Sequence, residues 1–332
     1  MADPLLEVRG LTKRFPLDRS LGEVLTRGAR RVVNALNGVD LSVRKGETLG
    51  IVGESGCGKS TLARCLVRLL DADEGEISYA GEDVRALDGA DLRRYRRRVQ
   101  MVFQDPYGSL NPRQTIGAML GEALRVHRLC EEADLPVAIA ELLALVRLPG
   151  DAARRLPHEF SGGQRHRIAI ARALAVRPDC LVADEIVSAL DVSVQAQVVN
   201  LLLELQARLG LTILFVAHDL RVVRHISHRT AVMYLGRIVE LAESEALFDR
   251  PQHPYTQALL AAAPTLDPDR RSGTAAVRGE LPSPLAIPAG CPFHPRCPHA
   301  FGRCRTELPL LLPAAGSGGL AACHLLESSS AS

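Results

Sequence analysis

The stretch Gly53-Glu54-Ser55-Gly56-Cys57-Gly58-Lys59-Ser60 decides the fold of this chain. It fits the pattern G-x-x-x-x-G-K-[ST] of a phosphate-binding loop. An apolar run at residues 48–52 precedes it and a helical pattern follows from Thr61, so the motif has the strand–loop–helix context that it requires. Its glycines let successive backbone N–H groups turn toward phosphates, Lys59 adds a positive charge, and Ser60 can bind Mg²⁺. The sequence therefore predicts a nucleoside triphosphate site.

Composition and charge limit the kinds of protein that this sequence can form. The chain has 332 residues, 47% of them hydrophobic, which suffices for one large domain with an appendage or for two smaller domains. A net charge of +2 argues against a dominant nucleic-acid surface, so we expect no nucleic acid among the partners. No secretory signal is visible after Met1, and no apolar run approaches the roughly 20 residues of a membrane span. We therefore expect a cytosolic protein that reaches any membrane through partners.

The spacing of apolar residues predicts an α/β fold. Strand-like stretches alternate with helical ones, which favours a mainly parallel sheet covered by helices on both faces. Residues 116–147 have helical spacing and predict a helical insert, and residues 192–209 form an amphipathic helix. Residues of catalytic character fall at the carboxyl ends of strands, where such sheets bind ligands. The strands are predicted at residues 5–11, 48–52, 76–80, 99–103, 180–185, 212–217, 230–235 and 237–241.

Two carboxylates, Asp184 and Glu185, end one of the predicted strands. An acidic residue on a strand beside a phosphate loop commonly holds Mg²⁺ through its water shell, which assigns that role to Asp184. Glu185 is then placed to polarise the attacking water. A helix cap is the simpler alternative for such a pair, but the phosphate loop upstream favours catalysis.

Further motifs resemble those of ATP-binding cassette proteins and follow in that family's order. The segment Phe160-Ser161-Gly162-Gly163-Gln164 resembles the family signature. Asp184-Glu185 resembles its acidic strand end, Ser188-Ala189-Leu190-Asp191 its D-loop, and Val216-Ala217-His218-Asp219 its switch histidine. The resemblance by these motifs covers about residues 5–245, and the set is far more specific than any single motif.

The resemblance implies a P-loop NTPase core with a helical signature subdomain. It also implies a head-to-tail dimer, in which the signature of one chain covers ATP bound at the phosphate loop of the other. Gln104 matches the Q-loop glutamine, and Phe15 matches the aromatic residue that stacks on adenine. For His218, the simpler alternative is a buried histidine of the core. The implied roles are ATP binding by Phe15, Gly53, Glu54, Ser55, Gly56, Cys57, Gly58, Lys59, Ser60 and Thr61, binding in trans by Ser161, Gly162, Gly163 and Gln164, the D-loop contact by Asp191, Mg²⁺ binding by Ser60, Gln104 and Asp184, and catalysis by Glu185, His218 and Gln104.

Longer stretches resemble the ATPase subunits of bacterial dipeptide and oligopeptide importers, in particular the second of their two paralogous ATPases. These stretches are residues 102–113, 187–194 and 251–260. The resemblance implies ATP hydrolysis by a peripheral subunit on the cytoplasmic side of the inner membrane. It implies a sister ATPase in a heterodimer, or a second copy in a homodimer, with two membrane permeases and an external peptide-binding protein. We expect the permeases to dock in a groove near Gln104 and residues 105–120.

Two domains are expected, with two departures from the family pattern. Residues 1–250 form the nucleotide-binding domain, with a helical subdomain at about 105–176, and residues 251–332 form a C-terminal extension.

The family usually has proline where this chain has Ile186, and the importer group usually has glutamine at the position of His166. Neither change removes a catalytic group, so we expect an effect on rate and not on the type of reaction.

The extension holds four cysteines in a segment with too few periodic apolar residues to build a core. Small segments of this kind commonly need a metal staple. The wide spacing of the four cysteines favours a [4Fe–4S] cluster, which some of these importers carry in this segment. Zn²⁺, with His294, His299 or His324 as additional ligands, is the second alternative. Free thiols are the third alternative. The four residues are Cys291, Cys297, Cys304 and Cys323.

The sequence leaves the cargo open. A related importer of nickel or another small solute would have the same ATPase, because binding protein and permeases select the cargo. A soluble cassette ATPase of DNA repair or translation is a more distant alternative. Long heptad arms or a second cassette would mark such a protein, and neither occurs in these 332 residues.

Overall fold

The computed structural model of this protein describes residues 4–17, 31–262, 279–314 and 318–327. Its strands are β1 (Pro4–Pro16), β2 (Val32–Arg44), β3 (Thr48–Val52), β4 (Glu74–Tyr79), β5 (Glu82–Asp83), β6 (Val99–Val102), β7 (Cys180–Asp184), β8 (Thr212–Val216), β9 (Arg229–Tyr234), β10 (Arg237–Glu243), β11 (Leu312–Pro313) and β12 (Leu320–Ala321). Its helices are α1 (Lys59–Leu66), α2 (Gly89–Arg98), α3 (Pro106–Ser109), α4 (Ile116–Val126), α5 (Leu135–Leu145), α6 (Gly162–Leu174), α7 (Val192–Leu209), α8 (Leu220–Ile226), α9 (Ser244–Asp249), α10 (Pro254–Ala262), α11 (Gly302–Thr306) and α12 (His324–Glu327).

Two compact units make up the chain. The first comprises Met1–Val43, Leu49–Arg85 and His218–Ser332, and the second comprises Arg44–Thr48 and Ala86–Ala217. The phosphate loop and the cysteine-rich segment belong to the first unit, whereas the two carboxylates and the signature belong to the second. The predicted boundary at residue 250, between a nucleotide-binding domain and a C-terminal extension, does not coincide with the division into these two units. It stays a prediction.

The described strands of the first unit form two sets, one with antiparallel pairs and one with both parallel and antiparallel pairs. Strands β2, β1, β4 and β5 lie side by side in that order, with Leu6 of β1 opposite Tyr79 of β4 in antiparallel register. A second set runs β11, β12, β10, β9, β3, in which β3 is parallel to β9 while β9 and β10 are antiparallel. The prediction of a mainly parallel sheet is therefore wrong for this unit, because β9–β10 and β4–β5 are antiparallel neighbours in the chain and β1 pairs antiparallel with the distant β4.

The second unit follows the predicted pattern more closely. Strands β6, β7 and β8 are parallel neighbours, and every residue of β7 and β8 is buried. Such fully buried parallel strands carry continuous apolar sequence. Helix α7 has the predicted bounds and ends at Gly210, whose φ of +66° is the left-handed conformation that commonly ends helices. The predicted insert at 116–147 is helical in α4 and α5, with a break between them.

Candidate functional site

The phosphate loop joins β3 to α1, and its backbone requires glycine at two positions. Gly53 has a φ of +154°, and a β-carbon there would lie 2.2 Å from the carbonyl oxygen of Met233. Gly58 has a φ of +108°, and a β-carbon there would lie 2.3 Å from the carbonyl oxygen of Ala35. Glycine alone combines these angles with such close backbone contacts. The loop is thus held in one shape at the N-terminus of α1, the end of a helix that favours anions.

Lys59 is buried inside this loop, with 4% of its surface exposed. Its ammonium donates hydrogen bonds to the carbonyl oxygens of Gly53, at 2.9 Å, and Glu54, at 3.1 Å. The same nitrogen lies 3.9 Å from the sulfur of Cys57. A buried ammonium held by carbonyls of the loop itself supplies the positive charge that a phosphate site needs.

The other predicted residues of the loop differ in exposure. Ser55 and Gly56 are exposed, whereas Ser60 and Thr61, in the first turn of α1, are half-buried. Burial raises the pKa of the Cys57 thiol, which keeps it neutral. Phe15, the predicted adenine-stacking residue, is half-buried in β1, and the ammonium of Lys13 lies 5.4 Å from the centre of its ring.

Sequence reasoning missed two residues that contact the loop at Glu54. The hydroxyl oxygen of Tyr255, in α10, accepts a hydrogen bond of 3.0 Å from the backbone N–H of Glu54. The guanidinium of Arg296, in the cysteine-rich segment, donates to both carboxylate oxygens of Glu54, at 2.7 and 2.9 Å. No local pattern could have revealed these contacts, because they join residues more than 200 positions apart.

Asp184 and Glu185 lie where β7 ends, as predicted. Asp184 is buried with 3% exposure, and Glu185 is half-buried. Glu185 has a φ of +49°, the left-handed region that non-glycine residues rarely adopt, and its N–H donates to the carbonyl of Val216 at 2.9 Å. Residues held in this conformation cluster at functional sites. The strained backbone therefore supports a functional role for the carboxylate.

Hydrogen bonds in the second unit bring three predicted motifs together. The side-chain amide of Gln104 donates to the hydroxyl oxygen of Ser188 at 3.3 Å. That hydroxyl donates to the carbonyl of Glu185 at 2.9 Å. The Q-loop glutamine is thus connected through the D-loop to the backbone of the proposed base. Asp191, at the end of the D-loop, is exposed and precedes α7 as its N-cap residue.

The signature residues form the start of α6. The hydroxyl of Ser161 accepts the N–H of Gln164 at 3.4 Å, and the side-chain oxygen of Gln164 accepts the N–H of Ser161 at 3.0 Å. This reciprocal pair is a capping box, which fixes the first turn of a helix. Gly162 follows the cap, and a β-carbon on Gly163 would lie 2.3 Å from a methyl carbon of Val194, so α6 and α7 pack closely here.

The two departures from the family pattern are both buried. The imidazole of His166 lies between two carbonyl oxygens, with Nδ1 3.0 Å from that of Gly162 and Nε2 3.4 Å from that of Gln104. It therefore connects the signature helix with the Q-loop. Ile186 is fully buried, so the residue that replaces proline contributes to the core directly after Glu185.

His218 lies two residues before the start of α8 and is exposed. The alternative of a buried core histidine is therefore wrong. Asp219 beside it caps α8 by accepting the N–H of Arg221 at 2.9 Å. The exposed position of His218 is compatible with ligand binding, but its role in catalysis stays a prediction.

The four cysteines of the extension carry free thiols that interact with one another. Burial, together with the smaller effect of the neighbouring thiols of Cys297, Cys304 and Cys323, raises the pKa of Cys291 to about 11. The N–H of Cys291 donates to the carbonyl of Cys304 at 2.9 Å. Within the described residues, however, no three His, Cys, Asp or Glu side chains are arranged to hold a metal ion. The structure does not support the predicted iron–sulfur cluster or a zinc site.

Comparisons with known proteins identify the family. The ABC transporter model matches residues 36–188, and the model of the oligopeptide/dipeptide transporter C-terminal region matches residues 239–304. The chain is 50% identical to a probable peptide ABC transporter ATP-binding protein, y4tS of Sinorhizobium fredii, over 98% of this chain and 91% of that protein. It is 49% identical to the oligopeptide transport ATP-binding protein AppF of Bacillus subtilis, over 97% of this chain and 98% of AppF. The chain therefore belongs to the ABC transporter family.

Solved structures agree with this assignment. The protein resembles cbiO1 of Clostridium perfringens, part of the ABC transporter complex cbiONQ, with a TM-score of 0.63, 25% identity, and coverage of 75% of this chain and 92% of that one. It also resembles the ATP-binding cassette MJ0796 in a dimeric post-hydrolysis state bound to ADP and Pi, with a TM-score of 0.61, 27% identity, and coverage of 72% and 98%. The fold is that of an ABC ATPase, and the prediction of an ATP-hydrolysing subunit is confirmed.

Proposed function

We propose that this protein hydrolyses ATP to power the import of dipeptides or oligopeptides through partner membrane permeases. The match of residues 239–304 to the oligopeptide/dipeptide transporter C-terminal region carries the proposal. The peptide-transport names of relatives that align along nearly the whole chain support it. The proposed organisation is a nucleotide-binding domain at 1–250, with a helical subdomain at about 105–176, followed by the extension at 251–332.

In this proposal the loop at residues 53–60 holds the phosphates of ATP. The buried ammonium of Lys59 and the N-terminus of α1 supply the positive potential for them. Ser60, Gln104 and Asp184 offer the oxygen ligands that Mg²⁺ takes in proteins, and the bound ion would neutralise charge on the phosphates. Phe15 would stack on the adenine.

Glu185 acts as the general base. Its carboxylate takes a proton from the water that attacks the γ-phosphorus, the bond to ADP breaks, and ADP and phosphate leave. Its backbone is fixed at two points, since its N–H donates to the carbonyl of Val216 and its carbonyl accepts from the hydroxyl of Ser188. Gln104 orients the water and His218 contacts the γ-phosphate.

A second ATPase chain completes the site. Helix α6 begins at a fixed capping box with N–H groups of the glycine pair in its first turn, and a helix start of this kind binds anions. We assign Ser161, Gly162, Gly163 and Gln164 to the γ-phosphate bound by the facing chain, with Asp191 at the same interface. The facing chain is a sister ATPase or a second copy of this one.

The partner permeases dock on the second unit. A groove of about 430 Å³ opens there beside α4 and the end of α6. None of the helices in the described residues could cross a bilayer. The proposed location is the cytoplasmic side of the inner membrane, beside the partner permeases, with an external binding protein delivering peptide. Residues lining the groove include Gln100, Ser109, Asn111, Gln114, Glu122, Val126 and Arg172.

The [4Fe–4S] cluster, with Zn²⁺ as its alternative, stays a separate prediction from the sequence. The thiols of Cys297, Cys304 and Cys323 are near enough to Cys291 to raise its pKa, but no three of the described His, Cys, Asp or Glu side chains are arranged to hold a metal ion. The proposed hydrolysis assigns no step to it.

The test is reconstitution of the full protein with its sister ATPase and permeases in proteoliposomes. We expect ATP-dependent uptake of labelled dipeptides or oligopeptides that stops when Glu185→Gln replaces the wild type. Uptake of nickel but not of peptide would show that the protein powers a related importer of small solutes. Failure to associate with permeases, together with binding to ribosomes or DNA, would overturn the transport proposal.

A further inference from the structure

The second residue of the phosphate loop, Glu54, is held from outside the loop at three points. Its N–H donates to the Tyr255 hydroxyl, and its two carboxylate oxygens accept from the two terminal nitrogens of Arg296. Its own carbonyl accepts from the ammonium of Lys59 at 3.1 Å. A continuous path therefore runs from the cysteine-rich segment through Glu54 to the lysine of the ATP site.

The ion pair between Arg296 and Glu54 is largely removed from solvent. The Arg296 side chain is 6% exposed and the Glu54 side chain 27% exposed. Two parallel N–H···O bonds fix a guanidinium and a carboxylate in one relative orientation, and a charge-assisted pair is stronger than neutral hydrogen bonds. Loss of the arginine would leave a carboxylate without its counter-charge inside the loop that must accept a polyanion.

Arg296 is itself held in place by aromatic packing. Its backbone N–H donates to the carbonyl of Phe293 at 3.0 Å, and its guanidinium lies 5.9 Å from the centre of the Tyr234 ring. The ring centres of Tyr234 and Phe293 are 5.4 Å apart, and those of Tyr234 and Tyr255 are 4.6 Å apart. Three aromatic rings thus join α10 and the cysteine-rich segment into one packed support beside the loop.

We propose that Arg296 is a positioning residue for ATP, by which the C-terminal extension holds the phosphate loop in its binding shape and neutralises Glu54. The inference rests on the proposed function, in that residues 53–60 bind the phosphates. It gives the extension a part in nucleotide affinity.

The experiment compares ATP affinity, KM and kcat among full-length variants. Arg296→Ala is expected to raise the Kd and KM for ATP about tenfold, as loss of one charge-assisted contact would, with a smaller change in kcat. The double variant Glu54→Gln with Arg296→Ala is expected to bind ATP more tightly than Arg296→Ala alone, because no unpaired carboxylate remains beside the phosphates. Arg296→Lys, which keeps the charge but not the paired bonds, is expected to lie between wild type and Arg296→Ala.

Arg303→Ala is the matched control, since Arg303 lies in the same segment and pairs with Glu307 at an exposed position. If Arg296→Ala does not fold, the Arg296→Lys and double variants decide the matter alone. Wild-type affinity in folded Arg296→Ala or Arg296→Lys, or the same change in Arg303→Ala, would overturn the inference. Absence of ATP binding in the wild type, with no difference from Lys59→Ala, would instead overturn the proposed function.

Discussion

The buried imidazole of His253 predicts a loss of stability on mild acidification. His253 precedes α10 with 1% of its surface exposed, and its Nδ1 accepts the N–H of Tyr255 at 3.0 Å. Burial lowers its pKa from 6.5 to about 4. The folded protein therefore keeps this ring neutral at pH values where the unfolded chain protonates it.

The sign and size of the effect follow from this difference. Between pH 6.5 and about 4 the unfolded state binds more protons than the folded state at this residue. The contribution of His253 to the free energy of unfolding is therefore complete above pH 6.5 and is lost as the pH falls toward 4. One pKa unit corresponds to about 1.4 kcal/mol, which gives roughly 3 kcal/mol at full protonation and about 2 kcal/mol between pH 7 and pH 5.

The neighbouring carboxylate of Glu240 acts in the opposite direction. It accepts the N–H groups of Gln252, at 2.8 Å, and His253, at 2.9 Å, and burial raises its pKa. Its contribution to stability therefore grows as the pH falls. Only a comparison between variants isolates the part due to the histidine.

The assay is urea unfolding of full-length protein at pH 7 and pH 5, followed by tyrosine fluorescence because the chain has no tryptophan. We expect the wild type to lose about 2 kcal/mol more than His253→Gln between the two pH values. His225→Gln, at an exposed position, is the control and should behave as the wild type. An equal loss in wild type and His253→Gln would refute the reasoning.

Three further predictions test the proposed site and cofactor. Glu185→Gln should abolish steady phosphate release while ATP binding, measured by titration, is retained; near-normal turnover would mean that another group is the base. Ser161→Ala should lower the free energy of unfolding by about 1 kcal/mol through loss of the helix cap, and an unchanged unfolding midpoint would contradict the capping role. If the sequence-based cluster prediction is right, protein purified without oxygen is brown and Cys297→Ser loses the colour, whereas colourless wild-type protein would show that prediction to be wrong.

Local patterns predicted much of the second unit from the sequence. The bounds of α7 follow from apolar spacing and from Gly210, and the buried strand β7 from its apolar run before Asp184. These signals lie within a few residues of the structures that they specify. The family and its ATPase activity were predicted for the same reason, because the motifs are short and local.

Contacts between distant segments were beyond such patterns. The antiparallel pairing of Leu6 with Tyr79 depends on which strands meet, and alternation along one strand cannot specify its neighbour. Arg296 gave no signal as a partner of Glu54, because a single arginine between cysteines has no periodicity. The same limit applies to the four thiols, whose spacing predicts a metal site that the arrangement of the described side chains does not support.

The left-handed backbone of Glu185 has a consequence for which residues position 185 tolerates. At a φ of +49°, glycine and asparagine meet a smaller steric cost than glutamate, and β-branched residues meet the largest one. A library of all substitutions at this position would therefore enrich small, flexible residues when it is screened for folded protein. If Glu185 is the general base, as proposed, only a carboxylate would pass a screen for ATP turnover. Selection for folding and selection for activity would then favour different residues at position 185.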